Sequence, residues 1–358
     1  MGKVDAQIDS TIEGNVHYLK LGNGSNAVLM PLPSAPNTEL AFHIITGGLY
    51  ENDSVNGIAH VVQYIIASKM NEYLNSNKGS LTLRNTFFQS YTNSERTVFK
   101  LTLPSDSAAA GLNIFIRYVL NATFNEADLK RAVDSITIET EREKQNPKWI
   151  FNDKMLKSLY KREYEQLNVY GNLDKIQKID LPTAEKFFKK YYVTNNAILI
   201  GTGSFNYSVL ERQYEDQFKP IIRAEFDPEF ITKITDFRSL VYNTQFIIED
   251  STATPEFQIC WQFPGTSSNK QTSYSAALLC TLLNDKNNFI QVKAAKMGCK
   301  KFVAQYESGN YSGILRVTLQ PDKQKLYVTY KFVIDALTSL EKTLVNESMI
   351  DAAKLQFK

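Results

Sequence analysis

Cysteine and histidine, the side chains that most often build metal and nucleophile sites, are scarce in this sequence of 358 residues, which has three of each. Cys260, Cys280 and Cys299 are far apart and lie in the last third of the chain. They form neither an even-numbered disulfide framework nor a C-x-x-C zinc cluster. We therefore expect them to be small hydrophobic residues of the core.

The sequence also lacks a long apolar run and an excess of either charge. Its formal net charge is +2, and no basic stretch is long enough to suggest a nucleic-acid surface. No apolar segment has the length that crosses a bilayer, and the start, MGKVDAQIDS, lacks the apolar core of a signal peptide. We expect a soluble protein with no membrane span and no nucleic-acid partner. Its compartment stays open: the bacterial periplasm is favoured if a leader was removed, and the cytosol or an organelle matrix otherwise.

What remains is the composition of a globular protein, with 43% hydrophobic and 22% charged residues. The length suits two domains. In the first half, short alternating segments predict strands and segments with helical spacing predict helices, which indicates an α+β fold with helices covering one face of a mostly antiparallel sheet. The predicted strands include VHYLKL, AVLMPLP, TELAFHIITGG, LTLRNTFFQSYT, RTVFKLTLP and AILIGTGSF, and predicted helices begin at Gly57, Ser105 and Asn125.

A similar order of elements recurs in the second half of the chain, which predicts two homologous domains. We place these domains at residues 1–225 and 226–358. Because NESMIDAAKLQFK opens a helix without a capping signal at its end, we expect the second domain to be incomplete. The predicted elements of this half are the strands FIIED and EFQICWQF, the helices TSYSAALLCTLLN and NFIQVKAAK, the strand pair KKFVAQYES and SGILRVTLQ, and the long helix QKLYVTYKFVIDALTSLEKTL.

One histidine lies in a helix that has metal-site spacing. In GIAHVVQYII, residues 57–66, His60 and Tyr64 are one helical turn apart on the same face, where two ligands can share a zinc ion. A neutral phenol is a poor substitute for the second ligand. Gln63 lies beside them, and a carboxamide cannot take a proton from a metal-bound water near neutral pH. Taken alone, His60 is more simply a core histidine.

This segment, preceded by ITGGLYENDSVN, resembles the helix that carries H-x-x-E-H in the inverted zincins of the pitrilysin type, which include the insulin-degrading enzymes and the mitochondrial processing peptidases. AVDSITIETEREKQNP, residues 132–147, resembles the helix that supplies the third zinc ligand and puts Glu139 at that position. QSYTNSERTVFKLTLP, residues 89–104, resembles the strand against which substrates lie extended. TNNAILIGTGSF, residues 194–205, and FIQVKAAKMGCKKFVAQYESGNYSGILRV, residues 289–317, are similar to later parts of the family pattern.

Departures from the family pattern occur at both groups of functional positions. Gln63 and Tyr64 stand at the positions of the general base and the second ligand. Ala294 and Lys301 stand where active members carry the arginine and tyrosine that bind the substrate carbonyl, although Lys293 and Phe302 are one residue away. The resemblance therefore implies no catalytic residue, no bound metal and no cofactor.

His60 and Glu139 keep the family's residues and would be remnant ligands of the lost metal site. Glu139 could equally belong to the solvated helix face of ETEREK. Because buried polar groups need partners, we expect Gln63 and Tyr64 to fill the former zinc space and to form hydrogen bonds with His60 or Glu139.

A family member without hydrolytic residues can still bind peptide. The resemblance implies a non-catalytic subunit of a heterodimeric zinc metallopeptidase, which pairs with a catalytic homologue, or with itself as a homodimer, to enclose a chamber. An extended peptide substrate would add to a sheet edge through backbone hydrogen bonds, and we expect Gln89, Ser90, Tyr91 and Thr92 to form that edge. Two alternatives stay open: a structural or assembly subunit without peptide handling, like the family's respiratory-complex core proteins, and a zinc-dependent endopeptidase with an altered site.

Overall fold

The structure is a computed structural model, and it divides into two compact units. The first comprises Met1–Gln145 and Glu163–Phe230, and the second comprises Asn146–Arg162 and Ile231–Lys358. The domain boundary after residue 225 stays a prediction, and the predicted strand FIIED lies outside the described residues. The structure describes residues 9–13, 15–80, 83–160, 170–225, 255–267, 269–339 and 347–356.

A seven-stranded sheet forms the centre of the first unit. Its strands are β1 (Asp9–Glu13), β2 (Val16–Lys20), β3 (Asn26–Pro31), β4 (Asn37–Ile44), β5 (Phe87–Thr92), β6 (Thr97–Pro104) and β7 (Ala197–Gly203). Their spatial order is β1-β2-β3-β7-β4-β6-β5. Every neighbouring pair is antiparallel except β3 and β7, which are parallel. The sheet is therefore mostly antiparallel, as the sequence predicts.

Helices cover one face of this sheet. Along β4, Leu40, Phe42 and Ile44 are at most 1% exposed, and the ring centroid of Phe42 lies 5.8 Å from that of Phe115 and 6.1 Å from that of Phe218. This alternation puts one side of the strand in the core. The helices, in chain order over both units, are α1 (Ile58–Ser76), α2 (Ala108–Phe115), α3 (Glu126–Glu143), α4 (Pro147–Tyr160), α5 (Leu173–Ile176), α6 (Leu181–Tyr191), α7 (Tyr207–Phe218), α8 (Lys270–Asn284), α9 (Phe289–Lys296), α10 (Leu326–Thr338) and α11 (Glu347–Gln356).

Three element boundaries differ from the sequence prediction. β5 begins at Phe87, later than predicted, because Asn85 has a left-handed backbone with φ 55° that interrupts the extended run. The helix predicted from Ser105 begins with a 3-10 turn, and a π-helical turn, Ile116–Leu120, follows α2. α10 ends at Thr338, where the Ser339 hydroxyl donates to the Asp335 carbonyl at 2.6 Å and competes with the helical backbone bond. Residues 340–344 of the predicted helix lie outside the described residues.

Within the described part of the second unit, three strands form a smaller sheet: β8 (Phe257–Pro264), β9 (Lys301–Glu307) and β10 (Ser312–Gln320). Their order is β8-β10-β9 with antiparallel pairing throughout. Helices α8, α9 and α10 supply residues such as Ile290 and Val333, both 0% exposed, to the core on one face. Cys280 is buried as predicted, whereas Cys260 and Cys299 are half-buried. Among the described residues, no helix combines the length and the hydropathy that crossing a membrane requires.

Candidate functional site

The helix that carries His60 starts at a glycine held by a buried glutamate side chain. Gly57, the residue before α1, has a φ of 100°, which suits glycine and strains other residues. Glu51 is 3% exposed and accepts hydrogen bonds from the N–H groups of Gly57 at 2.6 Å and Ala59 at 2.9 Å, and from the Asn56 side chain at 3.1 Å. It satisfies donors that a helix start leaves free. Burial raises the pKa of Glu51 to about 8, against the opposing effect of these three donors.

The segment before α5 packs directly on the start of α1. A Cβ atom added to Gly57 would lie 2.6 Å from the Ile176 side chain, and one added to Gly171 would lie 2.5 Å from the Gly57 Cα. No real Cβ tolerates such distances, so the two glycines allow this close approach. The approach brings the neighbouring Tyr170 to His60, with 6.0 Å between their ring centroids. No motif or spacing in the sequence predicts that Tyr170 joins the site.

His60 is enclosed by aromatic rings. It is 7% exposed, and the ring of Tyr64 lies edge-on to it at a centroid distance of 4.9 Å. Its Nδ1 atom is buried and has no hydrogen-bond partner among the described residues. Burial lowers the pKa of His60 to about 4, although the charge of Glu139 acts in the opposite direction. The imidazole is therefore neutral near pH 7.

Helix α3 brings Glu139 to the same place. Asn125 and Asp128 form a reciprocal capping box at its start, and Asp128 also pairs with Lys69 of α1 at 2.7 Å. Further along, the hydroxyl of Tyr64 donates a hydrogen bond to the carboxylate of Glu139. Burial, followed by the hydrogen bond and charge of Glu139, raises the pKa of Tyr64, so its phenol stays protonated. The expected bond between Tyr64 and Glu139 is confirmed, and it makes Glu139 part of this cluster rather than of a merely solvated helix face.

Gln63 does not have the partner that the sequence analysis predicts. Its Nε2 atom donates to the Ser90 hydroxyl at 2.6 Å instead of bonding to His60 or Glu139. The reason is the direction of β5: Ser90 lies opposite Phe99, which is 0% exposed on the helix-covered side of the sheet. Since α1 packs against β5, this hydroxyl lies within hydrogen-bond distance of Gln63.

The residues predicted to bind peptide lie on a strand at the sheet edge. β5 is the last strand in the spatial order and has only β6 beside it among the described strands. Ser90 and Thr92 face the helices, and Thr92 is 8% exposed. Gln89 and Tyr91 face the opposite side, where Tyr91 is 52% exposed. The backbone of such a strand is available for pairing with another extended chain.

The side chains around His60 do not fit a catalytic zinc site. Such sites use three protein ligands drawn from histidine, cysteine and carboxylates. Here His60 and Glu139 are the usable donors, while Tyr64 is a neutral phenol that already occupies the carboxylate. Within the described ranges, no group of three or more His, Cys, Asp or Glu side chains is placed to hold a metal ion.

The remaining predicted positions lie in the second unit. Ala294 is 0% exposed and belongs to its hydrophobic core. Lys301 has a side chain that is 45% exposed and lies 4.0 Å from the carboxylate of Glu256. Shifting the alignment by one residue does not restore the arginine and tyrosine of active members. Lys293 would then stand at the arginine position, and it lies over the Phe332 ring at 4.6 Å. Phe302 would stand at the tyrosine position, and it is a core residue.

Comparisons with known proteins agree with this architecture. A family described as insulinase (peptidase family M16) matches residues 27–172, and one described as peptidase M16 inactive domain matches residues 178–357. An uncharacterized zinc protease of Rickettsia felis is 21% identical over 350 residues, which cover 94% of this chain and 81% of that protein. The β subunit of the mitochondrial-processing peptidase of Blastocladiella emersonii is 20% identical over 214 residues, covering 59% of this chain and 46% of that protein.

The same architecture appears in a solved structure. The crystal structure of a protease from Helicobacter pylori is similar with a TM-score of 0.74 at 14% sequence identity, covering 98% of this chain and 84% of that one. Together these matches confirm the predicted α+β fold with two domains of one type.

Proposed function

The chain belongs to the insulinase family, peptidase family M16, and from this premise we propose that it is a non-catalytic member that binds extended peptides. The observation that carries the proposal is the hydrogen bond from Tyr64 to Glu139. The bond engages Glu139, one candidate zinc ligand, with the neutral phenol of Tyr64, which stands at the position of a second ligand. A chain that used this carboxylate for zinc would have to break the bond and would still lack a third ligand of the usual kind.

The position of Gln63 supports the same conclusion. A general base must accept a proton, and a carboxamide has no basic form near neutral pH. Its bond to Ser90 also uses the amide to fix α1 to the edge strand. Gln63 and Ser90 therefore suit a structural role, which is to hold β5 in place while a peptide lies along it.

Peptide binding is proposed from the edge strand itself. An added strand would form backbone hydrogen bonds with β5, a mode of recognition that depends little on peptide sequence. Cleavage would be the task of a catalytic homologue with an intact zinc motif, which pairs with this chain; pairing with a second copy is the other arrangement in keeping with the family.

Binding of a labelled peptide to the purified full chain tests the proposal. The probe is an unstructured eight-residue peptide of Thr and Ser with a fluorophore, followed by anisotropy. A matched peptide that carries an N-methyl group on every residue has no backbone N–H on either edge and should bind about tenfold more weakly or not at all. Equal binding of the two peptides, or none of either, would contradict the proposal, and no binding would favour an assembly subunit.

Zinc analysis of the same preparation tests the non-catalytic part. We expect no stoichiometric zinc and no cleavage of the peptide by the chain alone. Stoichiometric zinc together with cleavage that His60→Ala abolishes would instead establish an endopeptidase with an altered site.

A further inference from the structure

The edge strand β5 lacks the charged residues and the proline that often protect an exposed edge. Its sequence, FFQSYT, has no charged residue and no proline. Natural proteins commonly blunt such edges with lysine, proline or a bulge, because an unprotected one invites pairing with another chain. The composition of β5 therefore favours a surface that is used for pairing.

The face of β5 that points away from the helices, its open side, has a definite pattern of side chains. Phe87 is 67% exposed and Tyr91 is 52% exposed, and Gln89 lies between them on the same side. Since side chains alternate along a strand, the two aromatic rings are separated by four residues, or about 13 Å. Two exposed aromatic rings on one face of an edge strand can act as cross-strand neighbours for the side chains of an added strand.

The neighbouring strand adds no net charge to the middle of this surface. Gln89 lies opposite Lys100 of β6, and the Lys100 ammonium pairs with the Glu39 carboxylate of β4 at 3.1 Å. At the two ends, Phe87 lies opposite Thr102 and Tyr91 opposite Val98. The surface thus presents an aromatic ring, a neutral polar side chain and a second aromatic ring along one line.

We propose that β5 recognises extended peptides with apolar side chains at positions i and i+4 and an uncharged polar residue at i+2. This inference rests on the proposed function and names the class of peptide that the edge takes. An added strand has the same two-residue alternation as β5, so such side chains all project to the open side. The apolar ones then meet Phe87 and Tyr91 as cross-strand neighbours, and the polar one meets Gln89.

A peptide fits this surface better than a second copy of the chain. β5 has six residues and is therefore about 20 Å long, so pairing two such strands alone buries far less than the roughly 1,000 Å² expected of a stable protein interface. A short extended peptide needs no more than this length of edge.

Peptides of identical composition test the spacing. The probe is a labelled eight-residue peptide of Thr and Ser with Phe at positions 2 and 6, and its control carries Phe at positions 2 and 5. Moving one Phe by one position turns it to the opposite side of the strand. We expect the 2,6 peptide to bind the full chain about five- to tenfold more tightly than the 2,5 peptide.

Variants assign the preference to the two rings. Phe87→Ser with Tyr91→Ser should abolish the preference, so that both peptides bind as the unsubstituted Thr and Ser peptide does. Tyr274→Ser, at a tyrosine that is 64% exposed in the second unit, is the matched control and should leave the preference unchanged. Circular dichroism and a thermal melt confirm that each variant is folded.

The possible results separate this inference from the proposed function. If the N-methyl test shows strand pairing but the 2,6 and 2,5 peptides bind equally, the peptide class is wrong and the edge remains a binding site. If no peptide binds at all, the proposed function fails. If the chain forms a dimer that Phe87→Ser with Tyr91→Ser disrupts, the occupant is a second copy and the inference is overturned.

Discussion

Tyr64 of α1 and Glu139 of α3 are 75 positions apart in the chain and are joined by a hydrogen bond from the hydroxyl to the carboxylate. Resemblance to the inverted zincins puts both residues at positions that hold zinc in active members. On the proposed function, this direct bond takes the place of the metal ion that joins the corresponding helices in active members. The contact itself links α1 to α3.

Tyr64→Phe removes this link and should lower the free energy of unfolding by about 1–2 kcal/mol, because a carboxylate loses a hydrogen bond in a partly buried site. Urea unfolding of the full chain measures the change. Tyr207→Phe is a suitable control, since the Tyr207 hydroxyl also donates to a carboxylate, that of Glu211 at 2.5 Å, but one turn away on the same helix. Its effect should be about 0.5 kcal/mol or less. Equal losses of unfolding free energy in the two variants would show that the bond between α1 and α3 stabilises the fold no more than a bond within one helix.

Tyr64→His should raise the affinity of the chain for zinc. The substitution adds an imidazole one turn after His60 and releases Glu139 from its phenol, which completes a set of three ligands. We expect zinc to bind at least about 100-fold more tightly than to the natural chain, since outer hydrogen-bond partners of a metal ligand alone change affinity about 10- to 100-fold. Competition with a chromophoric chelator measures the affinity.

The matched control is the same substitution combined with Glu139→Gln, which has one anionic ligand fewer and should lose most of the gain. Adding Gln63→Glu to Tyr64→His supplies the missing general base. Peptide cleavage by this variant is then measured separately from its zinc affinity. A gain that survives Glu139→Gln would show that Glu139 is not a ligand, and tight zinc binding by the natural chain would contradict the predicted increase.

The fold was largely predictable because its signals are local. The periodicity of apolar residues such as Ile58, Val62 and Ile65, all at most 1% exposed, identified α1, and alternation identified the strands. The resemblance then placed Glu139 in the site. The boundaries that failed depended on single residues, such as Asn85 with its left-handed backbone.

The site itself was less predictable because its contacts are long-range. The bond between Gln63 and Ser90 depends on which side of β5 faces α1, and a shift of one residue in register would reverse that side. Glu51 lies in ENDSVN, where several neighbouring polar residues could cap a helix with equal local preference. Only the folded chain shows that Glu51 is the one that accepts the donors.

The pair Gln63 and Ser90 should be energetically coupled. In a double-mutant cycle with Gln63→Ala and Ser90→Ala, we expect a coupling free energy of about 0.5–1.5 kcal/mol, because each single change leaves the other polar group without its partner. Urea unfolding of the four proteins gives the value. A coupling near zero would mean that the 2.6 Å contact contributes nothing to holding β5 against α1.

Acid should destabilise the protein partly through His60. Burial lowers the pKa of His60 to about 4 from its ordinary value of 6.5, so the folded protein keeps this imidazole neutral while the unfolded chain protonates it. The resulting stability is fully present above pH 6.5 and is lost as the pH falls from 6.5 to 4. The loss amounts to about 3 kcal/mol, since each pKa unit is worth about 1.4 kcal/mol.

His60→Gln removes the titrating group, and the difference in unfolding free energy between the two proteins should shift in favour of the variant by this amount over that pH range. Urea unfolding at pH 7, 6, 5 and 4 measures the shift. His43 titrates in both proteins and cancels from the difference. His43→Gln should give a smaller shift of the same sign, because half-burial and then the charge of Arg96 lower the pKa of His43. A difference that does not change with pH would mean that His60 is accessible to water in the folded chain, contrary to its enclosure by Tyr64 and Tyr170.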